Sequence, residues 1–304
     1  MTGRVESRLE SHDYELVRQL HAVPPHEVYE VRLDGTRAVC KVAASPEADP
    51  ATEARVIEHV REHTSVPVPE ILATGDDWFV ARWIDGLPDE VAVDEARART
   101  MGAGLATLHE QATLDSPGFF QSWGPLVDAY ERWSDVLVAV LADRRNYLEP
   151  LGYADVAQAA IDFVDRHREA FDPVDPVVVH GNYLPEHVGV TDADSTPGEV
   201  VAVIDFEHAL AGAAEWDLIR TALPVHSNGG EAVRDALLAG YESVRSLDDG
   251  FDRRYEAYAT LNTVSYLKAL HLQDQHDPAE VERRAERMRE HVYDSLDELD
   301  GELG

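Results

Sequence analysis

Apolar and polar residues alternate in short runs over the first third of the chain, the period of half-buried strands. Residues 27–33 (EVYEVRL) alternate this way, and residues 37–43 (RAVCKVA) resume after Asp34-Gly35. That dipeptide favours the left-handed two-residue turn of a hairpin, so the two runs predict an antiparallel pair. Residues 46–63 change to helical spacing, with Ala54, Ile57 and Val60 on one face. Val66-Pro67-Val68-Pro69 breaks the pattern, because a residue before proline is pushed toward extended backbone. Residues 70–74 and 78–84 predict a second strand pair around Gly75-Asp76-Asp77.

Helical spacing dominates from about residue 90. Met101, Leu105 and Leu108 recur at i, i+4 and i+7 within residues 92–111. Residues 124–148, 153–171, 229–245, 251–274 and 278–299 predict further helices, and Gly212 with Trp216-Asp217-Leu218 opens another. Three short β-rich runs interrupt them, at residues 177–179, 188–190 and 200–204, with a turn at residues 194–198. The segment at residues 84–90 is the best boundary. The pattern predicts an α+β, two-lobed protein: a small antiparallel sheet lobe over residues 1–84 and a mostly helical lobe over residues 85–304.

Charge narrows the partners. The 304 residues carry 59 acidic and 26 basic side chains, a formal net charge of −33. Binding to a nucleic-acid polymer needs a positive footprint, so it is not expected. No apolar run approaches the ~20 residues of a membrane span, and MTGRVESRLE lacks the apolar segment of a secretory signal. The expectation is a cytoplasmic protein with no membrane partner. Only Lys41 and Lys268 are lysines, leaving 24 arginines. Acid excess with almost no lysine predicts a halophilic protein, since at ~1 M salt the Debye length of ~3 Å cancels much of the surface repulsion. The single cysteine, Cys40, excludes an internal disulfide.

Candidate chemistry concentrates in two places. His180-Gly181-Asn182-Tyr183-Leu184-Pro185-Glu186-His187 lies between two apolar β runs, where so many polar groups are poor packing choices. Asp205 ends the apolar run of residues 200–204, and a buried carboxylate there needs a cationic partner. Lys41 sits mid-strand in Val39-Cys40-Lys41-Val42, where an ammonium is unfavourable unless it meets an anion. The tryptophans Trp78, Trp83 and Trp133 read as packing residues, and the acidic tail from Asp294 to Glu302 as a solvated helix end.

These residues resemble the aminoglycoside phosphotransferase and choline kinase group, which shares the protein-kinase-like fold. That group carries His-Gly-Asp, then Asn after four further residues, then an Ile-Asp-Phe/Trp-Glu strand, Gly and Asp-Leu. Here His180-Gly181, Pro185, Ile204-Asp205-Phe206-Glu207, Gly212 and Asp217-Leu218 fall in register, and Met101 to His109 is similar to the group's Leu-Ala-x-Leu-His helix. The resemblance implies an ATP- and Mg²⁺-dependent phosphotransferase acting on the hydroxyl of a small molecule. By it Lys41 orients the phosphates, Glu53 holds Lys41, Asp205 binds Mg²⁺, His180 supports its loop, and the connection at Arg82, Trp83 and Asp85 meets adenine.

Two positions depart from the group's pattern. Asn182 stands where the catalytic Asp is expected, and His187 where the second Mg²⁺-ligand Asn is expected. An amide keeps one acceptor oxygen but takes no proton, and imidazole suits transition metals better than Mg²⁺. The stretch at residues 21–27, which would cover the nucleotide, has no glycine. Three readings follow: a divergent kinase whose base is Glu186, His187 or the substrate itself; a nucleotide-binding pseudokinase acting as a regulatory module; or a metal site of His180, His187, Asp205 and His208.

Overall fold

A computed structural model describes residues 3–88, 92–191, 198–248, 250–273 and 275–301. Parts of the lobe junction at residues 84–90, most of the turn at residues 194–198 and Glu302 of the acidic tail lie outside the described residues. In chain order the elements of the sheet lobe are α1 (Gly3–Leu9), β1 (Tyr14–His21), β2 (His26–Leu33), β3 (Thr36–Ala43), α2 (Pro50–His63), β4 (Ile71–Gly75) and β5 (Trp78–Arg82). The five strands form one antiparallel sheet in the order β1-β2-β3-β5-β4. Asp34 and Gly35 both take positive φ between β2 and β3, as the hairpin signal requires. The pattern missed α1 and β1. Most of β1 is exposed, so this edge strand has little apolar alternation to read.

Period-two packing gives the sheet two different faces. Ala38, Cys40 and Val42 of β3 pack with Tyr29, Val31, Val80 and with Val5 and Leu9 of α1. Lys41 therefore points to the other face, where α2 lies. That helix begins at Pro50, because Asp49 caps it by accepting from Thr52 N at 3.0 Å and Pro50 needs no N–H partner in the first turn. Glu53, Ile57 and Val60 share its buried side. Phe79, Ala81, Val66, Val68 and the apolar residues of α2 are continuous with the core of the helical lobe.

The helical lobe comprises α3 (Glu95–Gln111), β6 (Gly118–Phe120), β7 (Val127–Ala129), α4 (Trp133–Leu148), α5 (Ala154–Arg166), α6 (Arg168–Phe171), β8 (Val177–Val179), β9 (Val188–Val190), β10 (Val200–Val203), β11 (Leu210–Gly212), α7 (Ala214–Gly229), α8 (Glu231–Glu242), α9 (Phe251–Leu272) and α10 (Pro278–Asp300). Two expected helices are corrected. The stretch at residues 124–148 is helical only from Trp133, since residues 127–129 pair with β6 in the small sheet β7-β6-β11-β8. The stretch at residues 153–171 breaks at His167, which caps one helix and starts the next. Long-range pairing overrode local propensity at β7. Trp133 is buried, as expected, with Nε1 donating to Tyr258 Oη at 3.0 Å. No described helix is long and apolar enough to cross a membrane.

Candidate active site

Lys41 reaches from β3 to a carboxylate at the far end of β10. Its Nζ lies 2.7 Å from Asp205 Oδ1, 2.8 Å from Glu53 Oε2 and 3.3 Å from Glu207 Oε2. Sequence separations of 164 and 166 residues are closed in one ion cluster that joins the two lobes. His26 Nε2 stands 2.6 Å from Glu207 Oε2. The strand expected from Glu27 begins one residue earlier, at His26, because His26 pairs with Ala43 as Glu27 does with Val42. Nothing in the local sequence marks Glu207 as a partner of Lys41. Two residues beyond Asp205, it shares the approach to Lys41.

Burial and crowding set the protonation tendencies. Burial alone lowers the Lys41 ammonium, but the three carboxylates outweigh it and hold its pKa well above the ordinary value. Burial raises Glu53, and with Asp205 and Glu207 also repelling its charge it is pushed up to about 8 despite Lys41. Burial also opposes ionisation of Asp205 and Glu207, yet Lys41 leaves both below the usual carboxylate range. Three carboxylates share one ammonium, and Glu53, the most enclosed, yields its charge first.

The loop after β8 is held from beneath. Asp217 accepts from His180 N at 2.6 Å and Gly181 N at 2.9 Å, and lies 3.1 Å from His109 Nε2. His109 Nδ1 is 2.9 Å from Tyr241 Oη. His180 uses both ring nitrogens within the fold: Nε2 is 3.1 Å from the Ile204 carbonyl, so it donates, and Nδ1 accepts from Asn182 N at 3.1 Å. It supports the loop, and burial lowers its pKa to about 4. Gly181 has φ of 74°, and a Cβ there would overlap the carbonyl oxygen of His208. Asp205 itself has φ of 72°, a left-handed conformation uncommon for a non-glycine residue and often found where function constrains the backbone.

Asn182 donates through Nδ2 to Asp205 Oδ2. His187 Nδ1 lies 2.9 Å from the Asn182 carbonyl oxygen and 3.5 Å from Asp205 Oδ2. A carbonyl only accepts, so Nδ1 carries the proton and acts here as a donor. Glu186 is exposed. Among the described residues no group of three or more His, Cys, Asp or Glu side chains is arranged to hold a metal ion. With His180 occupied on both nitrogens, the four-residue metal site of the third reading has lost a member.

The connection between the lobes is ordered by its own contacts. Arg82 pairs with Glu70 at 2.7 Å, Trp83 N donates to the Arg37 carbonyl at 3.0 Å, and Trp83 Nε1 donates to Asp85 Oδ1 at 3.1 Å. The Arg37 guanidinium lies 3.5 Å above the Trp83 ring. These residues sit on a stretch distinct from the Lys41 cluster.

Comparison with curated proteins gives no match. Among solved structures, the aminoglycoside phosphotransferase APH(4)-Ia is similar at 18% identity, covering 97% of this chain and 98% of that one with a TM-score of 0.68. A thermostable mutant of it, solved as a ternary complex with ADP and hygromycin B, is 16% identical over 97% and 98% of the chains, with a TM-score of 0.66. The macrolide 2'-phosphotransferase MphH of Brachybacterium faecium is 17% identical over 92% and 95%, with a TM-score of 0.59. These likenesses show the two-lobed protein-kinase-like fold. The model of the phosphotransferase enzyme family (APH) matches residues 25–259. That span holds Lys41, Glu53, Asn182, Asp205 and Asp217 and is well over half of the sequence, so the chain belongs to the phosphotransferase enzyme family.

Proposed function

We propose that this protein transfers the γ-phosphoryl group of ATP to the hydroxyl of a small molecule, with the nucleotide held mainly by residues 1–84 and the acceptor by residues 85–304. The observation that carries the reading is the meeting of Lys41, Glu53 and Asp205 across the two lobes. A buried ammonium ringed by carboxylates suits a triphosphate with its metal: the phosphates take Lys41, and a divalent cation balances the carboxylates it leaves. The oxygens of Asp205 suit Mg²⁺, a hard cation with a preference for oxygen ligands and for keeping several waters. Asp205 would hold it; bound there, it would neutralise charge on the phosphates. His187, with its Nδ1 proton given to the Asn182 carbonyl, is better suited to orienting Asn182 and Asp205 than to ligating through that nitrogen. Residues Arg82, Trp83 and Asp85 would lie against adenine.

In the transfer, the acceptor oxygen bonds to the γ-phosphorus, the bond from that phosphorus to the β,γ-bridging oxygen breaks, and ADP leaves with the electron pair. The hydroxyl proton ends in water. Asn182 beside Asp205 can orient the hydroxyl through its amide but takes no proton. Loss of a general base costs ~10²–10⁴ in rate, whereas positioning and charge neutralisation supply most of phosphoryl-transfer catalysis. Slow transfer is therefore the expected behaviour.

The same Asn182 supports a second reading, a nucleotide-binding regulatory module in which transfer is lost. The experiment is ATP turnover in molar KCl across hydroxylated metabolites and aminoglycosides, comparing wild type with Asp205→Ala and Asn182→Asp. Turnover in wild type, abolished in Asp205→Ala, supports the transferase. No turnover with any acceptor, together with a Mg-ATP thermal shift that Lys41→Ala removes, supports the module. A thermal shift that Lys41→Ala leaves unchanged overturns the assigned phosphate site in both readings.

A further inference from the structure

On the helical-lobe side of Asn182, basic side chains gather in a chain that has few to give. Arg220 of α7 donates through Nε to the carbonyl of Gly181, the residue before Asn182. Its Nη1 donates to Asn262 Oδ1 at 3.0 Å, and its guanidinium lies 5.2 Å from the Tyr266 ring centroid. It has no carboxylate within 4 Å among the described residues. Arg144 of α4 lies beside it, with Nε 3.5 Å from Ser265 Oγ. Arg144 pairs with its chain neighbour Asp143, and Lys268 of α9, one of the two lysines, shares that carboxylate at 2.9 Å. His208 completes the group from the far side, its backbone against Gly181. Burial holds the Arg144 guanidinium below its ordinary value, and Arg220 adds repulsion. Desolvation of its ring lowers His208 too, against Glu207 and with Arg220 and Arg144 pushing the same way, although the side chain keeps 43% exposure.

Acidic side chains outnumber basic ones by more than two to one in this chain, so a carboxylate partner for Arg220 would have been the easy solution. Instead Arg144 and Lys268 share one carboxylate, Asp143, and Arg220 meets only a backbone carbonyl, an amide and an aromatic ring. Two guanidiniums brought together out of water repel each other unless an anion lies between them, and the planar fork of arginine matches the oxygens of a carboxylate or phosphate. Two of the three keep some contact with solvent: the Arg144 side chain is 23% exposed and that of Lys268 15%.

We propose that the acceptor is a small hydroxylated anion, carrying a carboxylate or a phosphate ester, whose charged end is gripped by Arg220 and Arg144 with Lys268 at the rim, so that its hydroxyl reaches Asn182. The proposal rests on the phosphotransferase reading for the word acceptor; the anion site itself stands or falls separately.

The test is calorimetric binding in molar KCl of four matched three-carbon probes: D-glycerate, glycerol 3-phosphate, glycerol and serinol. Either anion should bind about tenfold or more tighter than glycerol and serinol, and the tighter of the two identifies the charged group. Arg144→Gln should remove that preference while Mg-ATP affinity is retained, which reports folding. Lys268→Gln, at the rim, should weaken the same anion about threefold, and it serves if Arg144→Gln does not fold. Equal or tighter binding of glycerol or serinol, or an anion preference that survives both substitutions, overturns the proposal. ATP turnover with the same probes tells the two claims apart. Phosphorylation of glycerol or serinol but of neither anion overturns the anion site and leaves the transferase. Anion binding lost in Arg144→Gln without any phosphorylation supports the site and counts against the transferase.

Discussion

Glu53 and Asp217 are two carboxylates buried almost equally, 2% and 0% exposed, yet the fold drives them in opposite directions. Burial opposes ionisation of both. Asp217 overcomes it with His109 and the two backbone N–H groups of His180 and Gly181, each donor aimed at one of its oxygens, and its pKa falls below the ordinary value. Glu53 faces an ammonium at 2.8 Å that Asp205 and Glu207 also claim, its Oε2 is at ion-pair distance but not aligned for a hydrogen bond, and its pKa rises to about 8. One network is closed and satisfied; the other is crowded with negative charge. Depth does not separate a structural carboxylate from a functional one here. The supply of donors does.

The sharpest way to break this contrast is Asp217→Asn. The amide turns a donor toward a backbone donor and removes the charge that His109 faces, so about 3–5 kcal/mol of stability should be lost, as for a broken buried pair. Denaturant unfolding in molar KCl measures it. Because the folded pKa of Asp217 is depressed, its contribution is present above its unfolded pKa and should be lost as pH falls below about 4.

A smaller effect is expected at the loop that Asp217 holds. Gly181→Ala puts a side chain on left-handed backbone and against the His208 carbonyl, at a cost of about 1–3 kcal/mol. If the loop's position matters to transfer, turnover should fall further than stability does; a variant with native turnover would disconnect the two networks.

Glu53→Gln should disturb stability least and reverse the sign. The folded pKa of Glu53 is raised, so wild-type stability from this group is present below about pH 4.5 and is lost as pH rises to about 8. The amide variant should therefore lose less stability across that window than wild type, seen as a flatter plot of Tm against pH. A plot parallel to that of wild type would mean that Glu53 is charged and paired throughout, and the two carboxylates would then be alike.

The halves of the fold were unequally legible. The hairpin around Asp34-Gly35 and the apolar face of α2 carry strong local signals, and both stand where the pattern put them. Strand β1 is mostly exposed and β7 is three residues long, so neither has enough alternation to announce itself. At the site, Lys41 was conspicuous because an ammonium inside a strand demands an anion. Arg220 was silent: one arginine among 24 on an amphipathic helix carries no mark of the carbonyl it meets. Nothing beside His26 marks it as a strand residue, because its pairing with Ala43 is a fact about β3, not about its neighbours.

What the chain determined by itself is therefore the list of groups and the sides they face: the two-lobed order, the buried Lys41, the loop of His180 to His187 and the strand-end Asp205. Tertiary structure alone decided that Glu207 also claims Lys41, which carboxylate is tied to backbone donors, and where Arg144 and Arg220 converge. Periodicity encodes the face of a helix or strand, which depends on residues a few positions apart. Protonation and binding depend on charges more than a hundred residues apart that only packing brings within a few ångströms.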